Sequence, residues 1–150
     1  VPRKKIRIRS YGTRNFLLSK DRYYLEKKIN TFQNRYKNIV PITSKYSLER
    51  NLDFGIYDKK YGLCKPVCDI SYVREYFFLK GVRITIDKKI FFNHTNPKKK
   101  LKNIVQYDTN NVIEIKSNVL DRFDNLLDLF PFPRSKFSKY ELAFDHLDII

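Results

Sequence analysis

Apolar and charged residues alternate along several short stretches of the chain, the period of a β-strand that presents a charged face. In residues 3–11, Ile6 and Ile8 fall on one face and Lys5, Arg7 and Arg9 on the other. Residues 23–29 repeat this, with Tyr24, Glu26 and Lys28 opposed to Leu25 and Ile29, and residues 33–42, which include Lys37, fit a hairpin partner. From Lys65 to Leu79 the chain is β-rich through Val67, Ile70, Val73 and Phe77, with Arg74 among them. Residues 81–92 set Arg83, Thr85 and Asp87 against Val82, Ile84 and Ile86, and 111–116 predict a further strand with Glu114 and Lys116 facing one way.

Two stretches have a helical signature. Thr43 is placed as the N-cap of a short helix carrying Tyr46, Leu48 and Leu52. Between Asn118 and Phe130 apolar residues recur at 119, 120, 123, 126, 127 and 130, a helical stripe that Ser117 or Asn118 caps and that Pro131 and Pro133 end. Residues 12–15 read as a turn, 53–62 as polar and turn-rich, 93–103 as a loop, and 134–144 as a basic cluster followed by an apolar stretch. With no repeat and no boundary in sight, the expected architecture is a single α+β domain over 1–150, β-dominated and antiparallel, with one or two helices.

Charge changes this picture. The 150 residues carry 31 Lys and Arg against 16 Asp and Glu, a net charge of +15. Such an excess favours a polyanionic partner: nucleic acid, an acidic membrane or polyphosphate. An aromatic content of 15 % and an apolar content of 42 % exclude a disordered chain. Arginine recurring near the middle of strands is explained more economically by a closed barrel with a charged lumen than by a series of solvated faces. Guanidinium groups in such a lumen bind phosphate oxygens in pairs. Glu114, with Glu26 or Asp87 as a second candidate, offers the hard oxygen that Mg2+ or Mn2+ prefers. With 4 glycines, a Gly-rich phosphate loop is not expected.

The remaining chemistry is sparse. Cys64 and Cys68, if on one strand, sit roughly 13 Å apart, too far for a disulfide, so they read as thiols in a reducing, cytoplasmic compartment. His94 and His146 are isolated, without zinc spacing. No apolar run approaches the ~20 residues of a membrane helix. The chain starts at Val1 and contains 0 Met, which reads as a processed chain or as a piece of a longer one.

Six motifs then occur in order: KIRIRSYG at 5–12, YLEKKIN at 24–30 with Tyr36-Lys37 after it, SYVREYF at 71–77, VRITIDKKI at 82–90, VIEIKS at 112–117 and RSKFSKY at 134–140. Together they resemble the VTC domain (vacuolar transporter chaperone, polyphosphate polymerase) of the triphosphate tunnel metalloenzyme, or CYTH-like, superfamily. The resemblance implies an antiparallel tunnel barrel. It implies that Arg7, Arg9, Lys28, Lys37, Arg74 and Arg83 line the tunnel and grip phosphates, with Lys116 as a further lining residue and Ser138 and Lys139 near the transferred phosphate. Arg7, Arg9, Lys28 and Lys139 are the catalytic candidates and Glu114 the metal ligand, for Mn2+ or Mg2+. The implied reaction moves the γ-phosphate of ATP onto a growing polyphosphate and releases ADP. The family's N-terminal strands do not occur after Val1, so the barrel is expected to be N-terminally incomplete in this chain, completed by a missing N-terminal segment or by another chain.

Two other readings compete: a tunnel hydrolase of triphosphate or of the 5′-triphosphate of RNA, and a non-catalytic module that binds polyphosphate or inositol phosphates. The Lys98–Lys102 run is best explained as a solvated loop, and nucleic acid is disfavoured because the aromatics fall where a core needs them. A membrane-bound partner would place the domain at the cytosolic face of a membrane.

Overall fold

The structure, a computed structural model, describes residues 3–12, 22–79, 81–95, 106–117 and 131–149. They fall into two compact units, Val1–Pro66 and Val67–Ile150, each treated by itself. The expected helix over 118–130, the loop at 96–103 and most of the turn at 12–15 lie outside the described residues.

In the first unit, β1 (Arg3–Ser10), β2 (Tyr23–Asn30) and β3 (Arg35–Ile42) form an antiparallel sheet in the order β1-β2-β3. The register sets Arg7 opposite Glu26 and Glu26 opposite Ile39, so Lys5, Arg7, Arg9, Glu26, Lys28 and Lys37 share one face. Ile6, Ile8, Leu25, Ile29, Val40 and Ile42 share the other. Helix α1 (Lys45–Asp53) follows, buries Leu48 and is capped by Ser44, whose hydroxyl accepts from Ser47 N at 3.1 Å. Thr43 was expected as the cap; Ser44 takes its place by one residue because its extended backbone aims the hydroxyl at the first turn.

Residues 53–62, expected as an irregular polar stretch, contain a hairpin that continues to Cys64: β4 (Ile56–Asp58) and β5 (Gly62–Cys64). Asp58 organises the turn, accepting from Lys60 N at 3.0 Å and Tyr61 N at 3.3 Å while Lys4 Nζ donates to it at 2.9 Å. Gly55 precedes β4 with φ +90°, and a Cβ there would lie 2.6 Å from the Cys64 carbonyl oxygen. Only glycine meets both conditions.

In the second unit, β6 (Cys68–Leu79) and β7 (Val82–His94) form a long hairpin, to which β8 (Gln106–Asp108) and β9 (Val112–Ser117) both add alongside β7. The pairing shifts between Ser71 and Val73, where Tyr72 faces the extra residue of β7 and Lys89 adopts φ 50°. This β-bulge changes which side chains of β7 share a face. Before it, Arg83, Thr85 and Asp87 lie with Arg74; beyond it, Ile90 and Phe92 take over that same face. Helix α2 (Lys139–His146) covers them, giving a core of Ile90, Phe92, Ala143 and Leu147, flanked by Cys68, Ile70, Tyr72 and Val112. The stretch 134–144, read as a basic cluster with an apolar tail, is thus the entry and first turns of a helix. The described strands form open antiparallel sheets. No helix among the described residues is long and apolar enough to cross a membrane.

Candidate functional site

The charged face of the first unit is built in rows across the strands. Lys5 faces Lys28, which faces Lys37; in the next row Arg7 faces Glu26; in the next, Arg9 faces Tyr24. Like charges directly opposite one another destabilise a sheet. One acid, Glu26, moderates the whole face. It is 4 % exposed and takes Arg7 Nη2 at 2.5 Å, Lys37 Nζ at 3.3 Å and Arg9 Nη1 at 3.8 Å. Burial by itself would raise the Glu26 pKa; the hydrogen bond and charge of Arg7, and then Lys37, outweigh burial and hold it below the usual carboxylate range. Arg9 also stacks over Tyr11 at 4.6 Å. Lys28 is exposed and has no ion pair among the described residues.

The second unit repeats the scheme. Arg74, Tyr76 and Phe78 of β6, Arg83, Thr85 and Asp87 of β7, and Glu114 and Lys116 of β9 occupy one face. Asp87, 1 % exposed, binds Arg74 in a fork, Nε at 2.5 Å and Nη2 at 2.7 Å, and also binds Lys139 from the first turn of α2. Burial pushes the Asp87 pKa up, but Arg74 and Lys139 together bring it below its ordinary value, while the bond to Asp87 raises that of Arg74. Arg74 and Lys139 both lie against the Tyr72 ring, at 5.2 and 4.8 Å from its centroid. Arg83 stands opposite Lys116, and among the described residues it has no ion pair.

Glu114 is half exposed and rests on Lys116, 2.9 Å away. Burial raises its pKa, and Lys116, Arg74 and Lys139 more than reverse this, so it stays ionised. Directly across on β7 is Thr85, whose buried Oγ1 has no hydrogen-bond partner among the described residues. A carboxylate beside a spare hydroxyl is a hard-oxygen environment that fits Mg2+ or Mn2+. Among the described residues no three His, Cys, Asp or Glu side chains converge. A cation held by one carboxylate and by substrate phosphates needs no such cluster.

The structure brings Arg7, Arg9, Lys28 and Lys37 to one face, and Arg74, Arg83, Glu114, Lys116 and Lys139 to another. Ser138 is engaged as the N-cap of α2, its hydroxyl accepting from Glu141 N at 3.4 Å. The sequence offered Glu26 or Asp87 as a candidate second ligand beside Glu114. In the structure each accepts from several cations as a buried counter-charge. Both cysteines are free, and burial, with Asp69 nearby, pushes the Cys68 thiol up to about 11, which keeps it protonated and inert.

No curated protein and no solved structure gives a significant match to the chain. A family model does: the VTC domain, over residues 1–147. That match spans both charged faces and every motif from the first strand to the closing helix, and the chain belongs to the VTC domain family.

Proposed function

We propose that the chain is a metal-dependent polyphosphate polymerase that transfers the γ-phosphate of ATP to the end of a growing polyphosphate. The observation that supports the reading is the excess of cations over acids on the two sheet faces. Rows such as Lys5–Lys28–Lys37 and Arg83–Lys116 oppose cation to cation, and a phosphate chain is the ligand whose charge repeats at a matching density. The tunnel barrel of the superfamily, the use of ATP and the choice of Mn2+ or Mg2+ belong to this reading.

The residues divide the work. Arg7, Arg9, Lys28, Lys37, Arg74 and Arg83 hold and neutralise phosphates. Phosphoryl transfer asks little of the protein beyond positioning and charge stabilisation. Asp87 keeps the Arg74 fork and the Lys139 ammonium pointed at one place, so little reorganisation is needed when a phosphate arrives. Lys139, at the start of α2, is suited to steady the transferred group. Glu114 would hold a divalent cation, which supplies further neutralisation of phosphate oxygens. In the transfer, the bond from the γ-phosphorus to the bridging oxygen of ADP breaks as a terminal polyphosphate oxygen bonds to that phosphorus.

The test is one incubation of the full chain with ATP and Mn2+, resolved on a gel for polyphosphate and assayed in parallel for free phosphate. The expected outcome is a ladder of polymer that falls at least about 100-fold with Arg7→Ala and with Glu114→Gln. Free phosphate without a ladder would overturn polymerase in favour of hydrolase. Tight binding of polyphosphate with neither product would leave a binding module.

A further inference from the structure

Thr85 holds the least explained group of the second unit. The residue is 3 % exposed, and its Oγ1 has no hydrogen-bond partner among the described residues. An unbonded buried hydroxyl costs about 1–3 kcal/mol. Valine would have the same shape without that cost and suits a strand at least as well. The hydroxyl therefore calls for a use that the resting arrangement does not display.

Its position narrows the use. Thr85 stands opposite Glu114 on one side and Tyr76 on the other, and Arg83 and Asp87 flank it on the same face of β7. Asp87 is saturated, Oδ1 by Arg74 and Oδ2 by Arg74 and Lys139. Glu114 is not. Its carboxylate turns along its own strand to Lys116, both side chains are about half exposed, and among the described residues no other ion pair holds it. Opposed residues on adjacent strands have Cβ atoms about 5 Å apart, within reach of a glutamate and a threonine.

We propose that Thr85 is a positioning residue: its hydroxyl donates a hydrogen bond to the Glu114 carboxylate when that carboxylate leaves Lys116 to hold a divalent cation. The inference rests on the reading of Glu114 as the metal ligand. It gives the orphaned hydroxyl its acceptor and fixes a flexible carboxylate in one rotamer. Removing such an outer partner of a metal ligand weakens metal binding by about 10- to 100-fold.

The test is a Mn2+ titration of the full chain, followed by the electron paramagnetic resonance of free Mn2+, on the unmodified protein, Thr85→Val, Thr85→Ser and Glu114→Gln, with urea unfolding of each. Thr85→Val should bind Mn2+ about 10-fold or more weakly while its unfolding midpoint stays level or rises. Thr85→Ser, which keeps the hydroxyl, should bind nearly as the unmodified protein does. Unchanged Mn2+ affinity in Thr85→Val, with binding lost in Glu114→Gln, would overturn the role of Thr85 and leave Glu114 standing. Mn2+ binding indifferent to Glu114→Gln would overturn the Glu114 reading, and this inference with it. A lowered unfolding midpoint in Thr85→Val at unchanged affinity would make the hydroxyl structural.

Discussion

Asp87 bears the most weight of any single residue in the second unit. Its carboxylate is 1 % exposed, and its partners Arg74 and Lys139 are 18 and 19 % exposed at the side chain. Taking one member from a buried ion cluster leaves the others charged and unpaired. Asp87→Asn should cost about 3 kcal/mol of unfolding free energy in urea, more than removal of the exposed Lys88–Glu75 pair, 2.8 Å apart on the opposite face. Acid should act through the same group. The folded pKa values of Asp87 and Glu26 lie below their unfolded values, so their stabilisation is complete above about pH 4–5 and is lost as pH falls through the lowered folded values. A melting-temperature profile should fall on the acid side of pH 4, and in Asp87→Asn that limb should flatten. The residue types were legible, since two acids embedded among alternating cations stood out in the motifs. Their role as counter-charges was not, because it depends on which cations converge on each carboxylate in space.

At the scale of elements, the bulge at Lys89 decides the most. Regular alternation through GVRITIDKKIFF would put Ile90 and Phe92 on the face opposite Asp87. One extra residue brings them to the same face, so a single strand carries the charged Arg83–Thr85–Asp87 face at one end and the floor of a helix-packed core at the other. Lys89 adopts a left-handed backbone that costs a non-glycine residue about 1 kcal/mol. Lys89→Gly should therefore be neutral or stabilising by up to about 1 kcal/mol. Deletion of Lys89 should prevent folding of the unit, because either the core or the Arg74–Asp87 pairing must then be abandoned; circular dichroism and amide exchange would register the difference. The polar triplet Asp87-Lys88-Lys89 was the visible sign of this bulge, a break in the period of two. Helix α2 was harder to see, because its apolar residues form a stripe only once Ile90 and Phe92 lie beneath them.

At the scale of the molecule, the chain carries a net charge of +15, and strand registers in each unit set cation opposite cation. Affinity for tripolyphosphate should accordingly fall steeply with NaCl over the range in which the Debye length shrinks from about 10 to about 3 Å. Replacing Lys28, exposed and without an ion pair among the described residues, by Ala should lower both the affinity and its salt dependence without reducing stability. Isothermal titration at several salt concentrations would check this.

The sequence by itself determined the long strands, their charged faces and the family. Alternation is a local property that each strand carries whatever it pairs with, and the six motifs are written in consecutive residues. Only the tertiary structure decided which charges meet. Pairing of Lys28 with Lys5 and Lys37, convergence of Arg74 and Lys139 on Asp87, and the unanswered hydroxyl of Thr85 opposite Glu114 all follow from register, one bulge and the docking of α2. These are distances between residues far apart in the chain, and no local pattern encodes them.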